Sequence, residues 1–168
     1  MKASFVAQSR IDTPLGPLTL AATPQGLAGA WFDGQAHHPG VLEAPVDGQQ
    51  RWLMQAAQEL DDYFAGRRRS FGVPLDPQGT AFQASVWLAL RRIACGQLHS
   101  YGAIADEIGR PAAARAVGAA VGRNPISVIV PCHRVVGRDG SLTGYAGGLP
   151  RKEALLKWDG VRLEGPLN

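Results

Sequence analysis

The residues best suited to chemistry are Cys132 and the adjacent His133. A thiolate is the strongest nucleophile that a protein offers near neutral pH, and an imidazole can take the thiol proton directly or through a water. A cysteine alone is more often a packed core residue. The histidine beside Cys132 favours a nucleophile instead.

The segment before this pair is expected to hold it in place. Residues 126–130 read ISVIV, an apolar and mostly β-branched run that predicts a buried strand. Pro131 lacks a backbone N–H and biases Val130 towards extended geometry, so the strand ends there. Cys132 is therefore predicted to lie at a fixed, partly enclosed strand end.

The other cysteine and the histidines do not indicate a second site. Cys95 and Cys132 do not make a disulfide framework, and neither lies at metal-ligand spacing. Cys95 follows a predicted helix beside Gly96 and is expected to be a half-buried structural thiol. His37 and His38 fall in a predicted loop. We expect no metal ion and no cofactor.

The N-terminal part has the pattern of a small sheet followed by a helix. Residues 4–33 contain alternating apolar positions and turn signals, which predicts strands. Residues 34–48, rich in Gly, Pro and His, predict a loop. Apolar residues recur every fourth position from Trp52 to Phe64, which predicts a helix over 49–65.

The C-terminal part is predicted to be mainly helical. Thr80 and Gln83 match a capping box, so a helix begins there. Ser100 can cap a short helix, and a second helix is predicted within 112–122. The Gly-containing turn between these two helices makes them a helix-turn-helix candidate.

The second helix of this pair consists mostly of alanine and glycine, and Arg115 is its one long side chain. Two interpretations stay open. The helix either packs closely inside a core, or enters a groove of a nucleic acid with Arg115 as a probe. The minor groove of DNA, about 6 Å wide, would require a helix this thin.

Charge and hydropathy limit the class of protein. The net charge is +3 and the pI about 9.2, a basic bias that is compatible with nucleic acid but weak as evidence for it. No apolar run is long enough to span a bilayer, and the N-terminus lacks the apolar core of a signal peptide. We expect a soluble, cytoplasmic protein with no membrane partner.

Several strings together resemble one known family. Asn124-Pro125 followed by IVPCHRV at 129–135, with ARAVG at 114–118 and Gly144-Tyr145, resembles the active-site signature of the O6-alkylguanine-DNA alkyltransferases. The resemblance is close over residues 76–160 and general before them. It implies an α/β fold with two domains. Residues 1–75 would form a β-sheet-plus-helix, RNase H-like domain, and residues 76–168 a mainly helical DNA-binding and alkyl-acceptor domain with the helix-turn-helix.

The resemblance implies that the chain repairs O6-alkylguanine by irreversible, stoichiometric transfer of the alkyl group to Cys132 after the base is flipped out. His133 would take the thiol proton through a bridging water, and Glu153 would orient and charge-stabilise its imidazole. Tyr101 would press on the 3′ phosphate and help to protonate the leaving guanine. Repair of O4-alkylthymine and the preferred alkyl group stay open.

The resemblance also implies an interface with double-stranded DNA, bound through the minor groove by a monomer; cooperative binding stays open. Arg115 would fill the gap left by the flipped base. The DNA-binding residues implied are Tyr101, Gly102, Arg110, Ala114 and Arg115. The pocket residues implied are Asn124, which ties the turn before the acceptor, with Val135, Tyr145 and Ala146.

Two other classes of protein compete with this reading. An alkyltransferase-like protein that binds damaged guanine without repairing it would lack the acceptor, and Cys132 is present. A cysteine hydrolase usually has its cysteine at a helix N-terminus and its histidine far away in sequence, whereas here the two are adjacent. Animal members of the family hold a structural zinc with N-terminal cysteines that this chain lacks, so no zinc is expected.

Overall fold

The computed structural model describes residues 4–163, which cluster into two compact units. The first unit extends to Gln78 and also includes Pro125–Ile129. The second comprises Gly79–Asn124 and the chain from Val130 onward. The sequence predicts a boundary near this place, after residue 75, but nothing in it indicates that a segment just before Cys132 belongs to the first unit.

A three-stranded antiparallel sheet is the framework of the first unit. Its strands are β1 (Ala7–Ile11), β2 (Leu18–Thr23) and β3 (Gly26–Phe32), in the spatial order β1-β2-β3. Every residue of β3 is buried, in keeping with its apolar and small side chains. Gly26 is required by close packing, because a β-carbon there would lie 2.6 Å from the carbonyl oxygen of Pro74.

One helix, α1 (Arg51–Phe64), packs against this sheet. The side chain of Gln50 caps it by accepting hydrogen bonds from the backbone N–H groups of Trp52 and Leu53. The predicted sheet-plus-helix arrangement is therefore confirmed. Neither α1, with its 14 residues, nor any other helix within residues 4–163 is long and apolar enough to cross a membrane.

Helices dominate the second unit. They are α2 (Ala81–Leu90), α3 (Tyr101–Glu107), α4 (Ala114–Gly122) and α5 (Leu149–Trp158), and two short parallel strands accompany them, β4 (His99–Ser100) and β5 (Val135–Val136). The predicted capping box begins α2, because Thr80 and Gln83 each accept the other's backbone N–H. Trp87 of α2 donates its indole N–H to the carbonyl of Ala120 in α4 at 2.8 Å, which joins these helices.

Helices α3 and α4 contact each other and form the predicted helix-turn-helix. Ser100 caps α3, since its Oγ accepts the N–H of Ala103 at 3.1 Å. Gly109 follows α3 with a φ of +76°, a left-handed conformation that favours glycine at a helix end. The predicted α/β class, with a helical second unit, is confirmed.

Residues 126–130 do not form the strand that their composition predicts. Ile126 makes only an isolated bridge with Ala30, and Val128 has a φ of +71°, so the chain turns instead of extending. The N–H of Ile129 bonds to the carbonyl of Ser127 at 2.8 Å within this turn. The whole segment is buried. Its apolar, β-branched composition therefore reflects burial. A tight turn in the interior requires apolar side chains as much as a buried strand does.

Candidate active site

Cys132 begins a single 3₁₀ turn, Cys132–Arg134, that follows Pro131. The cysteine is only 4% exposed. Asn124, just beyond the end of α4, holds it by donating its side-chain amide to Sγ at 3.1 Å and to the carbonyl of Val130 at 2.9 Å. The Asn124 side chain therefore links the thiol to the backbone of Val130, which restricts the geometry in which the sulfur can meet another molecule.

His133 is completely buried, and its two ring nitrogens have different surroundings. Nε2 lies 2.9 Å from Oδ2 of Asp159, whereas Nδ1 has no hydrogen-bond partner among residues 4–163. Burial lowers the pKa of His133, although the Asp159 carboxylate opposes the change, so the imidazole is neutral at neutral pH. A neutral ring beside a carboxylate carries its proton on Nε2, which leaves Nδ1 as a base.

Asp159 is itself held in one orientation. Arg134 donates from Nε to Oδ2 at 2.7 Å and from Nη2 to Oδ1 at 3.1 Å, and its Nη1 donates to the carbonyl of Ile93 at 2.8 Å. Cys95 adds a thiol donor 3.3 Å from Oδ1. Both carboxylate oxygens therefore accept hydrogen bonds from fixed donors, and the imidazole that Asp159 contacts is fixed in turn.

The carboxylate beside His133 is Asp159 and not the predicted Glu153. Glu153 instead pairs with Lys157 at 3.1 Å, one turn along the partly exposed side of α5. The buried positions around this helix are 152, 155, 156 and 159, a helical i, i+3, i+4, i+7 stripe that excludes residue 153. The role that the resemblance implied for Glu153 is therefore wrong, because the carboxylate that contacts His133 lies on the buried stripe and Glu153 does not.

The thiol is protonated in the resting protein. Burial raises the pKa of Cys132, and the hydrogen bond from Asn124, the positive charge of Lys152 and the Tyr145 side chain only partly oppose this. Since the thiolate is the nucleophile, the site needs a base at the moment of reaction. The unpartnered Nδ1 of His133, the next residue in sequence, is the candidate for such a base.

Tyr101, predicted to act on the leaving base, lies at the start of α3 and is partly exposed. Its hydroxyl is 2.7 Å from Oγ1 of Thr143, a residue that the sequence analysis did not single out. Its ring lies against α4, because a β-carbon placed on Gly118 would be 3.7 Å from a ring carbon. Three more predicted pocket residues lie close in sequence to Cys132 or Thr143. Val135 is buried, and Tyr145 and Ala146 are half-buried.

The predicted DNA-binding residues lie on α3, on α4 and in the turn between them. Arg115 is exposed on α4 and makes no hydrogen bond or ion pair with any residue in the described part of the chain. Arg110 is exposed in the turn, its guanidinium carbon 6.0 Å from the centroid of the Phe82 ring. Gly102 and Ala114 are partly exposed. Arg115 is therefore available to an external partner, as the groove-binding interpretation requires.

Fold and site together define a unit that combines a helix-turn-helix with a buried cysteine, which is followed in sequence by a buried histidine held by an aspartate. Within residues 4–163 no group of three or more His, Cys, Asp or Glu side chains could hold a metal ion. The chemistry available to this arrangement is attack by sulfur on an electrophilic carbon.

Comparisons with known proteins identify the family. Residues 6–77 match the ribonuclease-like domain, and residues 81–161 the DNA binding domain, of 6-O-methylguanine DNA methyltransferase. The chain is 48% identical over 149 residues to the methylated-DNA–protein-cysteine methyltransferase of Methanosarcina acetivorans, covering 89% of this chain and 95% of that protein. The crystal structure of Mycobacterium tuberculosis OGT in complex with DNA matches with a TM-score of 0.86 and 48% identity, covering 92% of this chain and 93% of that one. The chain belongs to the 6-O-methylguanine DNA methyltransferase family.

Proposed function

We propose that this protein repairs O6-alkylguanine in DNA by transferring the alkyl group to Cys132. The observation that supports this most strongly is the buried His133, whose Nε2 is held by Asp159 and whose Nδ1 is left as a base next to the thiol in sequence. A thiol with a raised pKa is inert until such a base removes its proton. The M. tuberculosis relative with this fold has been crystallised with DNA.

The reaction is a single displacement at carbon. Nδ1 of His133 takes the Cys132 proton, directly or through a water, and the sulfur electron pair attacks the alkyl carbon in line with its bond to O6. That C–O bond breaks, and its electron pair stays on the guanine. Asp159 stabilises the imidazolium that forms, since a carboxylate beside it favours the charged ring.

The guanine leaves more readily if its developing negative charge is neutralised. The phenol of Tyr101 can donate a proton or a hydrogen bond to it, and Thr143 holds that hydroxyl. Tyr145, Ala146 and the main chain of Val135 would form the wall of the base pocket. This assignment places the general base and the general acid on different sides of the reacting carbon.

The target atom is inaccessible inside stacked DNA, so the base must be extruded before transfer. Apart from Arg115, the exposed face of α4 carries only alanine and glycine side chains, so it suits the narrow minor groove. Arg115 would occupy the gap that the base leaves. Arg110, Gly102 and Ala114 would contact the backbone around it. We propose that the protein acts as a monomer, because no second copy of the chain is needed to complete the site. Its proposed partner is double-stranded DNA, and its proposed location is the cytoplasm.

Each molecule should act once. The product, S-alkylcysteine, is a thioether that water does not cleave, and none of the groups that residues 4–163 place around Cys132 could remove the alkyl group. The protein is therefore both the transferase and the acceptor, and the amount of DNA repaired is limited by the amount of protein.

The test follows the DNA. A duplex containing one O6-methylguanine is incubated with an excess of the protein, digested to nucleosides and separated by chromatography. The proposal predicts conversion of O6-methylguanine to guanine, abolished in Cys132→Ala, which should still bind the duplex. A second duplex with O4-methylthymine decides whether that base is also repaired. Binding without conversion would favour a damage-recognition protein. With the duplex in excess instead, conversion of more than one equivalent of duplex per protein would favour a hydrolase.

A further inference from the structure

Lys152 is a buried charge that the reaction described above does not use. It lies on the buried side of α5, and its side chain is not exposed to solvent. Its ammonium donates to the carbonyl oxygens of Thr143 at 3.1 Å and Gly144 at 3.5 Å. No carboxylate among residues 4–163 forms an ion pair with it. Burying an ammonium without a counter-ion opposes folding, so packing alone does not account for Lys152.

The two carbonyls belong to the segment that links both pocket tyrosines. Thr143 also holds the hydroxyl of Tyr101 through its Oγ1 at 2.7 Å. Gly144 precedes Tyr145, whose side chain acts on the pKa of the Cys132 thiol. The ammonium thus fixes the backbone from which the groups on the leaving-base side project.

The charges around the acceptor also leave Lys152 without a counterpart. Arg134 and Asp159 form a buried ion pair, and their charges cancel. Cys132 and His133 are neutral in the resting protein, so the ammonium is the net charge of the buried cluster. A thiolate at Cys132 would balance it. Consistent with this, the Lys152 charge opposes the rise in the pKa of Cys132.

We propose that Lys152 is a positioning residue for alkyl transfer: its ammonium fixes the backbone at residues 143–144 and stabilises the thiolate that develops on Cys132. The inference rests on the proposed function. Lys152 keeps its proton throughout, while the thiol proton goes to His133 and the alkyl group goes to sulfur. Only its field and its two hydrogen bonds act.

The test compares Lys152→Met, which keeps the length and removes the charge, with Lys152→Arg, which keeps the charge. The readout without DNA is the rate at which iodoacetamide modifies Cys132, followed by mass spectrometry of its peptide across a range of pH. An adjacent opposite charge shifts a pKa by about one to three units, so Lys152→Met should move the midpoint up by about one unit or more, and Lys152→Arg should keep it low. Lys157→Met, an exposed lysine on the same helix, is the matched control and should leave it unchanged.

A second variant keeps the test open if Lys152→Met does not fold. Lys152→Gln also lacks the charge but keeps a side-chain amide that can donate to the carbonyls of residues 143 and 144, so it should raise the midpoint as Lys152→Met does.

A midpoint that stays unchanged in a folded variant without the charge, Lys152→Met or Lys152→Gln, would overturn the proposal. Lys152 would then be a structural residue only. Methyl transfer from a methylated duplex, measured on the same proteins, separates this outcome from failure of the proposed function. If no protein transfers methyl, the function is wrong, and the iodoacetamide titration still decides the role of Lys152.

Discussion

Replacing Asp159 by asparagine tests the part of the site on which sequence and structure disagree. The carboxylate accepts from Nε2 of His133 at 2.9 Å and from Arg134 at 2.7 Å. An amide at this position can donate to Nε2, which would place the imidazole proton on Nδ1 and remove the base. It also lacks the charge that stabilises the imidazolium formed when the thiol proton is taken up.

The size of the effect follows from these contacts. A hydrogen bond to a charged group contributes about 1.5–3 kcal/mol, and about 1.4 kcal/mol corresponds to tenfold in rate. Asp159→Asn should therefore slow methyl transfer by about one to two orders of magnitude. Removing one partner of a buried ion pair destabilises a protein by about 3–5 kcal/mol, so the melting temperature should fall as well, because Arg134 loses its counter-ion.

The assay is single-turnover transfer from an O6-methylguanine duplex, measured well below the melting temperature of the variant. Glu153→Gln is the matched control, because Glu153 is a partly exposed carboxylate on α5 that contacts Lys157 and not His133. It should transfer at the unmutated rate. Asp159 does not activate His133 if folded Asp159→Asn reacts as fast as the unmutated protein, or if Glu153→Gln is the slower of the two.

Three further predictions follow from the site. Arg115→Ala should slow repair of a methylated duplex by about one to two orders of magnitude and leave the reaction with free O6-benzylguanine unchanged; an equal loss on both would mean that Arg115 supports the pocket. Because burial lowers the pKa of His133 below its ordinary 6.5, the transfer rate should hold down to pH 6.5 and fall only in more acid buffer, and a decline that begins above pH 7 would contradict this. Cys95→Ser keeps a donor to Asp159 and should transfer normally, whereas Cys95→Ala should be about two- to threefold slower if that weak bond orients the carboxylate; identical rates would assign Cys95 to packing alone.

Local signals in the sequence predict much of the fold. The capping box at Thr80 and Gln83 and the cap at Ser100 form as expected, because each involves groups three residues apart. The wrong prediction of a strand at 126–130 also has a local cause. Burial and strand formation favour the same β-branched residues, and nothing in the composition reveals the positive φ of Val128.

The residues of the site likewise fall into those that the sequence reveals and those that only the fold brings together. Cys132 and His133 are adjacent, so their chemistry is visible in the sequence. Asp159 lies 26 residues from His133 and Cys95 lies 64 from Asp159, so the folded chain alone brings them together. Lys152 could not be singled out either, since a lysine in an amphipathic helix is usually solvated. The buried stripe of α5 is the one pattern that could have directed attention from Glu153 to Asp159.

The central claim is that Cys132 itself accepts the alkyl group, once per molecule. Intact mass spectrometry after incubation with a several-fold excess of O6-methylguanine duplex tests it most directly, with peptide mapping to locate the modification. Every molecule should gain the mass of one methyl substitution, with the methyl on the peptide containing Cys132, and repair should stop at one equivalent. A methyl group on Cys95, or repair that continues while Cys132 remains unmodified, would contradict it.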